Sequence, residues 1–197
     1  MGNIDGIAKQ LVGVEIGGYR IAKMIGCGGM GAVFLANHRS MNLRAAIKIM
    51  LPHGSPAGQA APEDLQRFLD EARALCAVQH NGLVKLYDVG TLPDGTVYLQ
   101  MELLEGESLD ARLQRLGGRM ELPTAVALAR QVASALRVVH ERGIIHRDLK
   151  PENIFLVADP DSPPCERAKI LDFGLAKFRD AAVRRTRTGQ PIGTPRY

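Results

Sequence analysis

At 197 residues the chain is long enough for one ordinary domain or two small lobes, and it can bury a real core. Apolar residues make up 46% and charged residues 23%, a globular rather than a disordered balance. The net charge of +4 and the 5% of aromatics lack the dense basic stripe with interleaved rings expected of a nucleic-acid binder.

The start, Met1 to Gly6, has neither the basic-then-apolar pattern of a secretion signal nor the hydroxyl at position six that myristoylation prefers. Residues 1–18 carry several glycines and no period, and are expected to form a leader that docks loosely or frays. From Tyr19 the pattern is β. Tyr19 to Ile25 alternates, a glycine cluster turns the chain, and Ala32 to Asn37 and Ala45 to Met50 follow as strands. Leu51 to Pro62 is rich in Pro, Gly and Ala and reads as a linker.

Pro62 opens a predicted helix in which Leu65, Phe68, Leu69, Ala72, Leu75 and Cys76 share one face. Two more strands are predicted at Leu83 to Val89 and Val97 to Leu103, joined through the turn Pro93-Asp94-Gly95. After Gly106 the character changes to helices at Leu109 to Leu116 and Pro123 to Glu141. The expected organisation is thus a leader (1–18), a lobe of five strands and one helix (19–104), and a mainly helical part (105–197). No run reaches the roughly 18 apolar residues of a membrane span. Cys27, Cys76 and Cys165 are odd in number and widely spaced, forming neither a disulfide framework nor a metal pair. A cytoplasmic protein is expected.

Chemistry concentrates in His146-Arg147-Asp148-Leu149-Lys150-Pro151-Glu152-Asn153. An Asp able to accept a hydroxyl proton, with an Asn five positions on to hold Mg²⁺, is the layout that phosphoryl transfer from ATP requires. Gly26-Cys27-Gly28-Gly29-Met30-Gly31-Ala32-Val33 fits G-x-G-x-x-G-x-V, where glycines let backbone amides approach phosphates. A dinucleotide fingerprint would lead into a helix; this one leads into a strand, so that reading fails. A plain flexible hairpin is the remaining alternative. Lys48 closes Ala45-Ala46-Ile47-Lys48, and an inward lysine needs an acidic partner. Glu71 on the following helix is the best placed; Asp70 lies about 100° off that face. Asp172-Phe173-Gly174 follows the apolar strand Ala168 to Leu171, and an Asp at a strand end suits a metal that bridges phosphates.

With these four motifs in order, the chain resembles a eukaryotic-like (Hanks-type) serine/threonine protein kinase of bacteria, from about Tyr19 to Tyr197. Lys150 in Lys-Pro-Glu-Asn is similar to the serine/threonine branch. The resemblance implies an α+β, bilobal protein-kinase-like fold, with a five-stranded antiparallel N-lobe and an incomplete, mainly helical C-lobe. It implies ATP and Mg²⁺ as cofactors and protein hydroxyls as substrates. Asp148 would be the base and Lys150 would contact the transferring phosphate. Asn153 and Asp172 would hold metal. Lys48, oriented by Glu71, would hold the α and β phosphates.

The nucleotide would also meet Ile25, Gly26, Gly28 and Gly31. Val33 and Ala46 would lie above the adenine and Phe155 below it, with Met101 at the rear and hinge hydrogen bonds near Glu102 and Leu103. Leu75, Leu86, His146 and Phe173 would stack between the lobes, which makes His146 a packed rather than a catalytic histidine. Cys27 sits at a variable position of the glycine loop. Arg147 would pair with a phosphate on the segment after Asp-Phe-Gly. Thr186 and Thr188 are the candidate autophosphorylation sites, with self-association implied, and Thr194 would line the peptide site. The Ala-Pro-Glu element that the family places next is not reached by Tyr197, so the alternative is a catalytically weak or inactive kinase-like ATP-binding or regulatory module. Neither a nucleic acid partner nor a membrane span is expected.

Overall fold

Alternation of apolar and polar side chains from Tyr19 onward builds a six-stranded antiparallel sheet. The computed structural model describes residues 10–28, 31–50 and 62–173. The chain groups into two units, Met1–Leu65 with Lys85–Leu103 and Gln66–Val84 with Leu104–Tyr197. Gly29, Met30, most of the predicted linker, Gly174, Thr186, Thr188 and Thr194 lie outside the described residues.

In the first unit the strands are β1 (Glu15–Ile16), β2 (Tyr19–Gly28), β3 (Gly31–His38), β4 (Arg44–Met50), β5 (Leu86–Thr91) and β6 (Val97–Glu102), in the order β1-β2-β3-β4-β6-β5. The sixth strand, β1, falls inside the predicted leader and corrects it. Gly17 (φ 55°) and Gly18 (φ 80°) make a two-residue turn that pairs Ile16 with Tyr19. Positive φ at both turn positions matches the twist of the flanking strands, and glycine adopts it without a Cβ clash. Ile16 is thereby 4% exposed, in one cluster with Tyr19, Ile21, Phe34, Ile47 and Ile49. Each large side chain buried this way contributes about 1.5–3 kcal/mol.

Strand β4 is buried from Ala45 to Met50, between β3 and β6. The strand expected from Leu83 begins at Leu86 instead. Leu83 makes an isolated parallel bridge to Ile170, and the Val84 N–H donates to the Ile170 carbonyl at 3.1 Å. These bonds tie residues 83–84 to the second unit and end the antiparallel ladder. The turn between β5 and β6 closes as its sequence predicts: Asp94 Oδ1 accepts from the Thr96 N–H at 2.9 Å, with Gly95 at φ 84°.

Helix α1 (Pro62–Cys76) starts at its proline and buries Phe68, Leu69, Ala72 and Leu75. The second unit adds α2 (Leu109–Arg115), capped by the Ser108 hydroxyl on the Ala111 N–H, and α3 (Leu122–His140). It also holds a three-stranded antiparallel sheet of β7 (Gly106–Ser108), β8 (Ile154–Ala158) and β9 (Glu166–Ile170). Leu128 of α3 clusters with Ile154, Leu156 and Ala168 of that sheet.

By length and composition alone α3 is the one helix among the described residues that could cross a membrane, although Arg130 and Arg137 keep it from forming an unbroken run of about 18 apolar residues. Its run of Ala, Val and Leu is interrupted by few charges. Leu128, Ala135 and Val139 are its buried residues, and Leu128 packs into the cluster with Ile154, Leu156 and Ala168.

Candidate active site

The second unit assembles the His146–Asn153 run. Helix α3 ends in a paired-bond motif in which the Gly143 N–H donates to His140 O at 2.9 Å and the Ile144 N–H to Val139 O at 3.0 Å. Gly143, at φ 71°, supplies the left-handed residue this ending requires and redirects the chain.

His146 is 2% exposed. Its Nε2 lies 2.7 Å from the Leu171 carbonyl and its Nδ1 faces the Asp148 N–H at 3.3 Å. The amide donates, so Nδ1 accepts and Nε2 carries the proton: the ring is neutral, in one tautomer. Burial pushes its pKa down, against the opposing pull of the Leu171 carbonyl and of Asp172 and Asp148. The ring packs edge-on against Phe173 with centroids 4.5 Å apart. The structure thus brings together two members of the expected apolar stack, and His146 is a packed residue that positions the loop.

Arg147 turns the chain through φ 66°, a left-handed conformation unusual for a side chain with a Cβ. The turn leaves Arg147 exposed and Asp148 half-buried. Asp148 Oδ2 lies 3.0 Å from Lys150 Nζ, with side chains 12% and 18% exposed respectively. Asn153 Nδ2 donates to the Asp148 backbone carbonyl at 2.8 Å and to its Oδ2 at 3.2 Å. A 3₁₀ turn over Pro151–Asn153 sets that reach. The Leu171 N–H donates to Asn153 O at 2.8 Å, tying the residue before Asp172 to the same loop. Asp172 itself sits at φ 60°. These two left-handed residues and the Leu171 carbonyl have no sequence signal: backbone conformation, not residue type, carries them.

In the first unit Lys48 is 6% exposed on β4, in register with Val33 and Leu99. Ala46 and Met101 are paired neighbours and both buried. The Glu102 N–H donates to Lys85 O at 2.9 Å, and its Oε1 accepts from the Lys85 N–H at 2.8 Å. Ile25 is exposed and Leu103 half-buried.

The three described glycines of the turn differ. Around Gly28 a side chain would have open space, and around Gly26 only Val33 comes within 4.0 Å. At Gly31 (φ 146°) a Cβ would fall 2.1 Å from the Ile49 carbonyl. Gly31 is therefore required by the approach of β3 to β4, a reason separate from phosphate access. Phe155 is half-buried on β8, paired with Ser108 and Lys169, and Glu71 is half-buried on α1.

Residues able to hold a divalent cation are oxygen donors. Asn153 commits its Nδ2 to Asp148, which turns its Oδ1 into the remaining donor, and Asp172 offers a carboxylate. One carboxylate and one amide oxygen suit Mg²⁺, which keeps its remaining positions for water and substrate phosphates. No group of three or more His, Cys, Asp or Glu side chains capable of metal binding occurs among the described residues.

A curled antiparallel sheet, a mainly helical second unit and this loop define a protein-kinase fold. The chain belongs to the protein kinase family, whose domain matches residues 19–197. It is 42% identical over 187 residues to the serine/threonine-protein kinase Pkn1 of Myxococcus xanthus, covering 95% of this chain and 26% of that protein. It is 38% identical over 191 residues to the serine/threonine-protein kinase PknA of Mycobacterium tuberculosis, covering 94% and 42%. The crystal structure of the M. tuberculosis PknI kinase domain superposes with a TM-score of 0.66 at 30% identity, covering 84% of this chain and 63% of that one. The chain thus spans between about a quarter and two-fifths of the length of these curated relatives. Protein kinases as a family use ATP and Mg²⁺.

Proposed function

We propose that this chain carries the catalytic apparatus of a serine/threonine protein kinase, transferring the γ-phosphoryl group of ATP to hydroxyls of protein substrates. The observation that carries the reading is the fixing of Asp148 by Asn153 and Lys150. A carboxylate held by two donors from its own loop is oriented before any substrate arrives, and orientation supplies much of the rate in phosphoryl transfer.

In the proposed step the substrate hydroxyl oxygen forms a bond to the γ-phosphorus as the bond to the β-phosphate oxygen breaks. ADP leaves and the hydroxyl proton passes to Asp148. Lys150 places a positive charge beside the transferring group, where negative charge is spread over three oxygens. Asn153 Oδ1 and the Asp172 carboxylate would hold Mg²⁺, whose charge would offset that of the phosphates. Lys48, on a strand buried on both sides, presents an ammonium to the α and β phosphates with Glu71 as its orienting acid. Open space at Gly26 and Gly28 supports close approach of backbone to phosphate. Ile25, Gly31, Val33, Ala46, Met101, Glu102, Leu103 and Phe155 complete the proposed nucleotide site. Thr186 and Thr188 are the proposed autophosphorylation positions, reached by a second copy of the chain.

The test is phosphate transfer from radiolabelled ATP with Mg²⁺, comparing the chain with its Asp148→Asn variant on a generic basic protein and on itself. Incorporation that requires Asp148 is the expected result. Equal incorporation by both proteins would end the reading.

A further inference from the structure

An open groove of about 530 Å³ lies on the second unit, and none of the residues lining it belongs to the proposed nucleotide or catalytic sets. Its walls are the loop after α1, helix α3 and strand β9. No acidic side chain lines it. Arg130 and Ser134, four residues apart on α3, share the face that borders it. Arg130 is exposed and has no ion-pair or hydrogen-bond partner among the described residues. Across the groove Arg167 gives its Nε to Asp159, which holds the side chain at 25% exposure. Its terminal guanidinium nitrogens have no partner among the described residues.

The groove is built before any ligand arrives. Gly82 lies so close to α3 that a Cβ there would meet Ala135 Cβ at 3.0 Å, and its carbonyl accepts from the Ile170 N–H at 2.9 Å. Gln131 fixes the opposite side, accepting from the Ala168 N–H at 2.8 Å and donating to Glu166 O at 3.0 Å. His80 accepts from the Gly82 N–H at 3.0 Å through Nδ1 and meets Ser134 Oγ at 3.3 Å through Nε2. Burial depresses the His80 pKa first, with the charges of Arg167 and Arg137 adding to it.

We propose that this groove binds a small organic phosphate monoester, with Arg130 and Arg167 on the phosphate and Asn81 and Ser134 beside the organic part. Two guanidiniums present planar forks that match phosphate oxygens in pairs, and the carboxylate beside Arg167, that of Asp159, is engaged by its Nε and is not among the lining residues. The volume falls within the roughly 300–1,000 Å³ typical of small-molecule sites, several times what a bare phosphate ion needs. This inference does not depend on the kinase reading.

The experiment is calorimetric titration of the whole chain with glycerol 3-phosphate and, separately, with inorganic phosphate. Each titration is run with and without a saturating non-hydrolysable ATP analogue and Mg²⁺. The monoester is expected to bind in both conditions and more tightly than inorganic phosphate. Arg130→Gln, on an exposed helix surface, is expected to weaken it roughly tenfold or more, and Arg167→Gln similarly. Circular dichroism checks that both variants remain folded; Arg130→Gln alone decides if Arg167→Gln does not. Equal binding by wild type and Arg130→Gln overturns the proposal, as does displacement by the ATP analogue or absence of binding at millimolar monoester. Equal affinity for inorganic phosphate overturns the assignment to an organic ligand.

Discussion

The Asn153 side-chain amide donates twice to Asp148, to the backbone carbonyl at 2.8 Å and to Oδ2 at 3.2 Å. One group therefore fixes both the course of the loop and the angle of the proposed base. Asn153→Ala removes these bonds together with the oxygen assigned to Mg²⁺. We expect kcat to fall by about 10²-fold or more, with unfolding free energy lower by about 1–3 kcal/mol because the part-buried carbonyl loses its donor. Steady-state assays and urea denaturation of the same preparation read both effects. Full activity with unchanged stability would remove Asn153 from the site.

A second expectation concerns pH. Burial lowers the pKa of His146, and its Nδ1 already accepts the Asp148 N–H, so the native state resists a proton that the unfolded chain takes up near the ordinary imidazole value. The contribution to stability is fully present above about pH 6.5 and is lost as pH falls from there toward the lower native pKa. His80, whose pKa is also lowered, adds a term of the same sign. Urea midpoints should therefore drop between about pH 7.5 and about pH 5.5, and His146→Phe should drop less over that range. An equal fall in the variant would show that His146 is not a source of the slope.

The glycine-rich turn separates packing from access. Gly31→Ala places a Cβ against the Ile49 carbonyl at a φ of 146°. A clash with backbone on both counts should cost about 2–4 kcal/mol. Gly28→Ala meets nothing within 4 Å and should cost less than about 1 kcal/mol. If Gly28 faces nucleotide phosphates as proposed, the Gly28 variant instead raises the KM for ATP while remaining as stable as the parent. Denaturation and ATP titration of the two variants distinguish these outcomes.

Legibility in the sequence followed how local each signal was. The strand from Tyr19, the apolar face of Leu65 to Cys76 and the Pro93-Asp94-Gly95 turn each depend on neighbours within a few residues and formed as predicted. Register shifts after Ile21 and Met24 nevertheless break the strand's alternation and leave Ile25 exposed. Glu15-Ile16-Gly17-Gly18-Tyr19 carried an equally local hairpin signal, but its strand has two residues, too few to show a period. The start of β5 could not be read because Leu83 and Val84 pair with Ile170, about 90 residues away in sequence, and nothing in Leu83 to Val89 records that partner. At the site, residue types gave Asp148, Lys150 and Asn153, since their chemistry is in the side chain. What places them lies in the backbone: the left-handed turns at Arg147 and Asp172 and the His146 bond to the Leu171 carbonyl, none of which alters a letter of the sequence.

Gln131 is the sharpest instance of a residue whose letter concealed its role. The apolar pattern of α3 marks it only as a polar interruption, yet its Nε2 lies within 3.0–3.2 Å of Ser162 Oγ, Pro163 O and Glu166 O, and its Oε1 accepts from the Ala168 N–H. One side chain thereby fastens the β8–β9 connection and the start of the strand that leads to Asp172. Gln131→Met keeps the length and removes every one of these bonds, leaving the Ala168 N–H unsatisfied in a buried strand. We expect a loss of about 2–3 kcal/mol and faster hydrogen exchange at Ala168 and its neighbours on β9, with α2 unaffected. Unchanged exchange on β9 would show that the strand is held by the β8 ladder alone.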